Sequence, residues 1–138
     1  MSDPNQATPE SAQLTAVVTF SPFSPSDGVH TDAIVVLTTV TSDEEAVRFV
    51  RTLLERRLIA CGTVFPAVRS LYRWQGKIAD EHEVVVMLKT RSARFESVRE
   101  AFLELHPYKV PELLSLPVDA GLDKYLEWIN GETTLALT

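Results

Sequence analysis

The residues best placed to do chemistry lie in "LELHPYKVPELLSLPV", residues 103–118. His106 there could ligate a metal, pass a proton or pack. A lone imidazole does not hold a metal, and its neighbours Leu105 and Pro107 offer no donor atom. At the end of a helix a histidine sits where the dipole favours a cation, and that structural role is the preferred reading of the residues by themselves. His82 lies between Glu81 and Glu83. On a strand the two glutamates share a face and the imidazole turns to the other, so the three do not meet one ion without a bulge. Two carboxylates on one face could act as acid and base, but a solvated strand start that discourages aggregation is the preferred reading. Cys61, between Ala60 and Gly62, has no cation or histidine beside it in sequence to activate its thiol, so it reads as a small buried apolar residue. Tyr72, Trp74 and Lys77 cluster near a hairpin tip, where aromatic side chains contact a ligand or another chain, or cover their own sheet.

No glycine-rich phosphate loop, GxSxG elbow or HExxH pair is present, so the motifs name no enzyme class. The chain has 138 residues, the size of a single domain, with 45% apolar and 23% charged residues, as in a globular protein. Its formal charge of -6 argues against nucleic acid as a partner. One cysteine allows no intrachain disulfide and fits a reducing compartment. There is no apolar run of about eighteen residues, so no membrane span is expected. The first twenty residues carry no Lys or Arg ahead of their short apolar run, which lacks the charged region of a signal peptide. A cytoplasmic protein is expected.

These side chains need a scaffold, and the patterning supplies one. Residues 1–32 hold four of the eight prolines and read as a flexible or loosely docked extension, with "LTAVVTF" able to add an edge strand. The folded domain is expected over 33–138. "DAIVVLTTV" is a β-branched strand of the kind buried on both faces. Ser42 and Glu45 then form a capping box, and Ala46, Val50, Leu53 and Leu54 mark one helical face. "LIACGTVF", "VRSLYRWQGKI" and "EHEVVVMLKT" make one long hairpin from about Leu58 to Thr90, turning at Gln75-Gly76. Pro66 inside it calls for an edge strand or a bulge. A second helix runs through "RSARFESVREAFLELHP", with Phe95, Val98, Phe102 and Leu105 on one face. "ELLSLPV" is a fourth strand and "LDKYLEWI" a short closing helix. The order is that of an α+β, ferredoxin-like split βαβ fold, with two helices on one face of an antiparallel sheet.

The pieces "IVVLTTV", "SDEEA", "RRLIACGTVFPAVRSLYRWQGKI", "EVVVMLKT", "LHPYKVPELLSLPV" and "YLEWI" resemble the CutA family of divalent-cation-tolerance proteins, in the family's order and spacing over residues 33 to about 131. The resemblance implies a tight homotrimer similar to the PII signalling proteins, in which each long hairpin reaches across a neighbour and clefts open between subunits. It implies a ligand cleft built from Lys89, His106, Tyr108 and Glu112, with Tyr72, Trp74, Lys77 and Glu83 from the hairpin. Bacterial members are linked to tolerance of copper and other divalent ions. Where some of them place a cysteine and a histidine pair, this chain has Thr38 and Leu105-His106. Two of three soft ligands are gone, so any copper or other divalent ion held by His106 is expected to bind weakly. The expected function is metal-ion tolerance through an ion or small ligand bound at inter-subunit clefts, without catalysis. The alternatives are a PII-like signalling or scaffold protein that binds no metal, and an enzyme using the same cleft.

Overall fold

The computed structural model describes residues 31–106 and 108–134. The proposed extension, residues 1–32, falls almost wholly outside them. Strand β1 (Ala33–Val40) leads into helix α1 (Asp43–Glu55). Ser42 caps that helix, its Oγ accepting from the Glu45 amide, while the Glu45 carboxylate reaches back to the amide and hydroxyl of Thr41. The reciprocal bonds satisfy donors that a helix start leaves orphaned. Strands β2 (Cys61–Trp74) and β3 (Lys77–Arg91) form the long hairpin. A single 3-10 turn, Ser92–Arg94, precedes helix α2 (Phe95–Leu105), then come β4 (Leu114–Pro117) and helix α3 (Asp123–Glu132). The sheet is antiparallel with strand order β2-β3-β1-β4.

The hairpin turns on Gln75 and Gly76, whose φ values of 49° and 76° are both positive. Such a turn carries the right-handed twist of the two strands around the corner. Pro66 is both an edge residue and a bulge. β2 is an outer strand, and its register slips between Phe65↔Val85 and Val68↔Glu83, so Pro66 and Ala67 together oppose Val84. The proline thus needs no ladder hydrogen bond.

One face of the sheet is closed. Ile34, Val36, Val40, Val84, Val86 and Leu88 pack on Ala46, Phe49, Val50 and Leu53 of α1 and on Val98, Ala101 and Phe102 of α2. Gly62 lets β2 pass so close to α1 that a Cβ there would run into Val50. The intervening residues of each strand point the other way. Across that face Val35 pairs with Lys89 and Leu116, Leu37 with Met87 and Leu114, and Phe65 with Val85. Among the described residues only the end of this second face is covered, where Ile129 and Leu126 of α3 meet Ala33, Ala60 and Val118.

Several local expectations change. β1 is packed by helices on one face and only half-covered on the other. In α1 the inward residue is Phe49, and Leu54 points outward with 40% of its surface exposed. Leu58, Ile59 and Ala60 are buried but precede the strand. In α2, Ala101 takes the inward place expected of Leu105. The stripe expected on α3 keeps Leu126 and Ile129, while Leu122 and Tyr125 are exposed. The three helix shifts are ones of helical phase, which tertiary packing sets and a short stretch of sequence does not.

Candidate functional site

The sheet's unequal strands create the site. β1 ends at Val40, opposite Val84, whereas the hairpin runs on to Trp74 and Lys77. Beyond β1 its inner wall has no neighbouring strand, and the segment after α2 swings in beside it. Between them lies a cleft of about 720 Å³. Ser70, Tyr72, Trp74, Glu81 and Glu83 line it from the hairpin, Thr39 and Thr41 from the end of β1, and Tyr108, Val110 and Glu112 from the segment.

Glu83 is the notable member. Its strand start was expected to be solvated, yet Glu83 is only 8% exposed. It shares the cleft with Tyr108 and with Thr39 and Thr41 at the end of β1, a neighbourhood that no local pattern reports. Its Oε2 accepts from Ser70 Oγ at 3.0 Å. Glu81, on the same face, stays exposed beside the Tyr72 hydroxyl. Burial, the Glu81 charge and a hydrogen bond to it, and the Glu83 charge all raise the Tyr72 phenol above its ordinary range. The Tyr108 phenol is pushed up to about 12, first by burial and then by the charges of Glu83, Glu45 and Glu81.

His106 holds the segment in place. Its Nδ1 accepts from the Tyr108 amide at 3.1 Å, which leaves Nε2 to carry the proton and donate to the Thr39 carbonyl at 2.8 Å. The ring packs between Phe102, tilted by 39°, and Tyr108, edge-on at 72°, each 4.6 Å from it, centroid to centroid. Phe102 in turn meets Phe49 edge-on at 5.7 Å. An aromatic chain therefore runs from the core to the cleft wall, with both histidine nitrogens bonded to backbone groups.

Of the residues expected in the cleft, the fold brings together Tyr72, Trp74, Glu83, Tyr108 and Glu112. His106 stands behind them as a support. Lys77 lies at the hairpin tip, across the strands from Trp74. Lys89 lies apart, its Nζ 3.4 Å from the Tyr125 hydroxyl and 5.7 Å from that ring's centre. Glu81, Ser70, Thr39 and Thr41 were not among the expected cleft residues. The shared strand face of Glu81 and Glu83 was the available signal for the first; the others depend on where β1 stops. Arg69 also reaches the cleft, but its guanidinium grips Asp80 with bonds of 2.8 and 2.6 Å. That contact holds the Asp80 carboxyl below the usual range. Cys61 faces Lys89 across the strands and has the Thr63 hydroxyl 3.8 Å from its sulfur. Among the described residues no three His, Cys, Asp or Glu side chains group as a metal site, and no helix is long and apolar enough to cross a membrane.

Fold and cleft together define a ferredoxin-like α+β protein with an extended hairpin and a carboxylate–aromatic cleft at its root. The sequence profile of the CutA1 divalent ion tolerance protein matches residues 34–132. The divalent-cation tolerance protein CutA of Pectobacterium atrosepticum is 42% identical over 105 residues, which cover 76% of this chain and 96% of that protein. Its counterpart in Thermus thermophilus is 40% identical over 99 residues, covering 72% and 96%. The crystal structure of CutA from Xylella fastidiosa superposes with a TM-score of 0.73 at 36% identity, over 75% of this chain and all of that one. The chain belongs to the CutA family of divalent-cation tolerance proteins.

Proposed function

We propose that this chain works as a cytoplasmic homotrimer that serves cation tolerance by binding an ion or small ligand in the hairpin cleft, and that it is not an enzyme. The observation that carries the trimer is the second face of the sheet. Among the described residues Val35, Leu37, Phe65, Val85 and Met87 have no helix over them, and Leu114 and Leu116 beside them are 55% and 47% exposed. Leu71 and Ile78, on the opposite face of the projecting hairpin, are 63% and 70% exposed. An apolar sheet face beside a fourteen-residue edge strand whose outer side has no partner strand among the described residues invites association, and closed symmetry is the ordinary way to satisfy it.

The engagement of His106 supports binding over catalysis, because a general base needs a free nitrogen within reach of substrate. It also argues against His106 as a metal anchor, since ligation would cost the Tyr108 amide its acceptor. The lone cysteine supports the reducing compartment. Light scattering on the full chain is expected to give about three chain masses, and a monomer would overturn the trimer. Calorimetric titration of Cu(I), Cu(II) and Zn(II) is expected to give the same modest isotherms for wild type and His106→Ala. Nanomolar binding abolished by that substitution would restore a metal site at His106.

A further inference from the structure

We infer that the cleft selects an organic cation, an ammonium or guanidinium group on a short apolar stem, held by Glu83 and Glu81 between Tyr72, Trp74 and Tyr108. This names the ligand class of the site proposed above and rests on that reading. Glu83 carries the inference. An ionised carboxylate withdrawn from water needs a cation or several hydrogen bonds. Glu83 is 8% exposed, and its hydrogen-bond partner among the described residues is one serine hydroxyl. None of the ion pairs among the described residues includes it.

The chain's own cations are placed elsewhere. Arg69 is committed to Asp80 and Lys89 to Tyr125. Lys109, at the rim, is exposed and pairs with neither glutamate. The walls then decide which cation fits. Three aromatic rings line the same cleft as the two glutamates. Aromatic faces attract ammonium and guanidinium ions, which shed water readily enough to touch them. A small hydrated dication gains little from such walls, and among the described residues no three-donor set offers to replace its water. A cleft of about 720 Å³ suits a molecule of many atoms, and Leu71 and Val110 in its lining would meet an apolar stem. Anions are opposed by both carboxylates and by the net charge of -6.

The test reads Trp74 fluorescence in the full-length Trp128→Phe protein, since the chain has two tryptophans and Trp128 stacks on Tyr125 outside the cleft. The probes are n-butylguanidinium and n-butylammonium, with n-butylurea as a neutral isostere, butyrate as an anion, and Zn(II) and Mg(II). The two organic cations are expected to give saturable signals, with n-butylurea and butyrate weaker by about tenfold or more. Glu83→Gln should weaken the cations by a similar factor, and Glu81→Gln, at an exposed position, by a smaller one. Equal binding of n-butylurea, or unchanged binding by both glutamine variants, overturns the inference. If Glu83→Gln fails to fold by circular dichroism, unchanged binding by Glu81→Gln and Tyr72→Leu overturns it. Saturation by Zn(II) or Mg(II) while the organic cations stay silent overturns the ligand class and leaves the ligand site standing. Silence from every probe overturns both.

Discussion

Thr38 carries a hydroxyl with no hydrogen-bond partner among the described residues, on a side chain that is fully buried among the helix-facing residues of β1. A buried hydroxyl left unpaired loses its water bonds for nothing, whereas valine has the same shape without the polar atom. Thr38→Val is therefore expected to stabilise the protein by about 1 kcal/mol. A urea midpoint that falls instead would mean the hydroxyl has a partner. Tyr108 makes a second residue-scale prediction. Its phenol ionises at about 12 when folded, against 10.0 ordinarily. Between these values the folded state holds a proton that the unfolded chain has released. Its contribution is thus fully present below pH 10.0 and is lost as pH rises through about 12. Urea midpoints should drop across that window in the wild type, and Tyr108→Phe should flatten the drop. The same slope in both proteins would refute the assignment.

At the scale of elements, the end of α1 shows how a helix stops without the residue best suited to stopping it. The Leu58 amide bonds the Leu53 carbonyl and the Arg57 amide bonds the Leu54 carbonyl, the paired bonds of a Schellman motif. The residue at its left-handed position is Arg57, with φ 58°. A side chain there is strained where glycine is not. Arg57→Gly forfeits an exposed pair to Glu132 at 3.7 Å, a contact of little worth, and should still gain about 0.5 kcal/mol. Arg57→Ala loses the same pair without relieving the strain, so it should gain nothing. Thermal unfolding of both separates the causes. Beside Glu132, at the close of α3, Arg91 and Arg94 both donate to the Thr133 carbonyl. These cations at a helix C-terminus explain how a ten-residue helix with little buried surface stays docked.

For the whole molecule, the sheet's second face is where the proposed trimer can be tested. Met87 sits on it opposite Leu37 and Thr63. Met87→Glu puts a charge into a surface that must be dry if three chains share it. The variant is expected to fall to monomers in light scattering while its circular dichroism stays that of an α+β protein. A trimer that survives the substitution would move the interface elsewhere, to the hairpin edge.

Some of this was settled by the chain's own pattern. The order of strands and helices, the Ser42–Glu45 capping box, the turn at Gln75-Gly76 and the bulge at Pro66 all follow from interactions among residues near in sequence. The hydrogen bonds of the capping box and the backbone angles of the turn need no distant partner. Motif resemblance also pointed to Tyr72, Trp74, Glu83, Tyr108 and Glu112, five residues that the fold gathers in one cleft. What the pattern did not reach depends on where elements end against one another. Glu83 looks like a solvated strand start until β1 stops beside it and Tyr108 joins it in the cleft. Lys89 belongs to the motifs but points to α3, because its position in the register carries it away from the hairpin root. His106 reads in the sequence as a histidine closing a helix, and only the approach of Thr39, sixty-seven residues away, gives its second nitrogen a partner. Such burial and pairing arise from contacts across long loops, whose closure depends on the packing of the whole core.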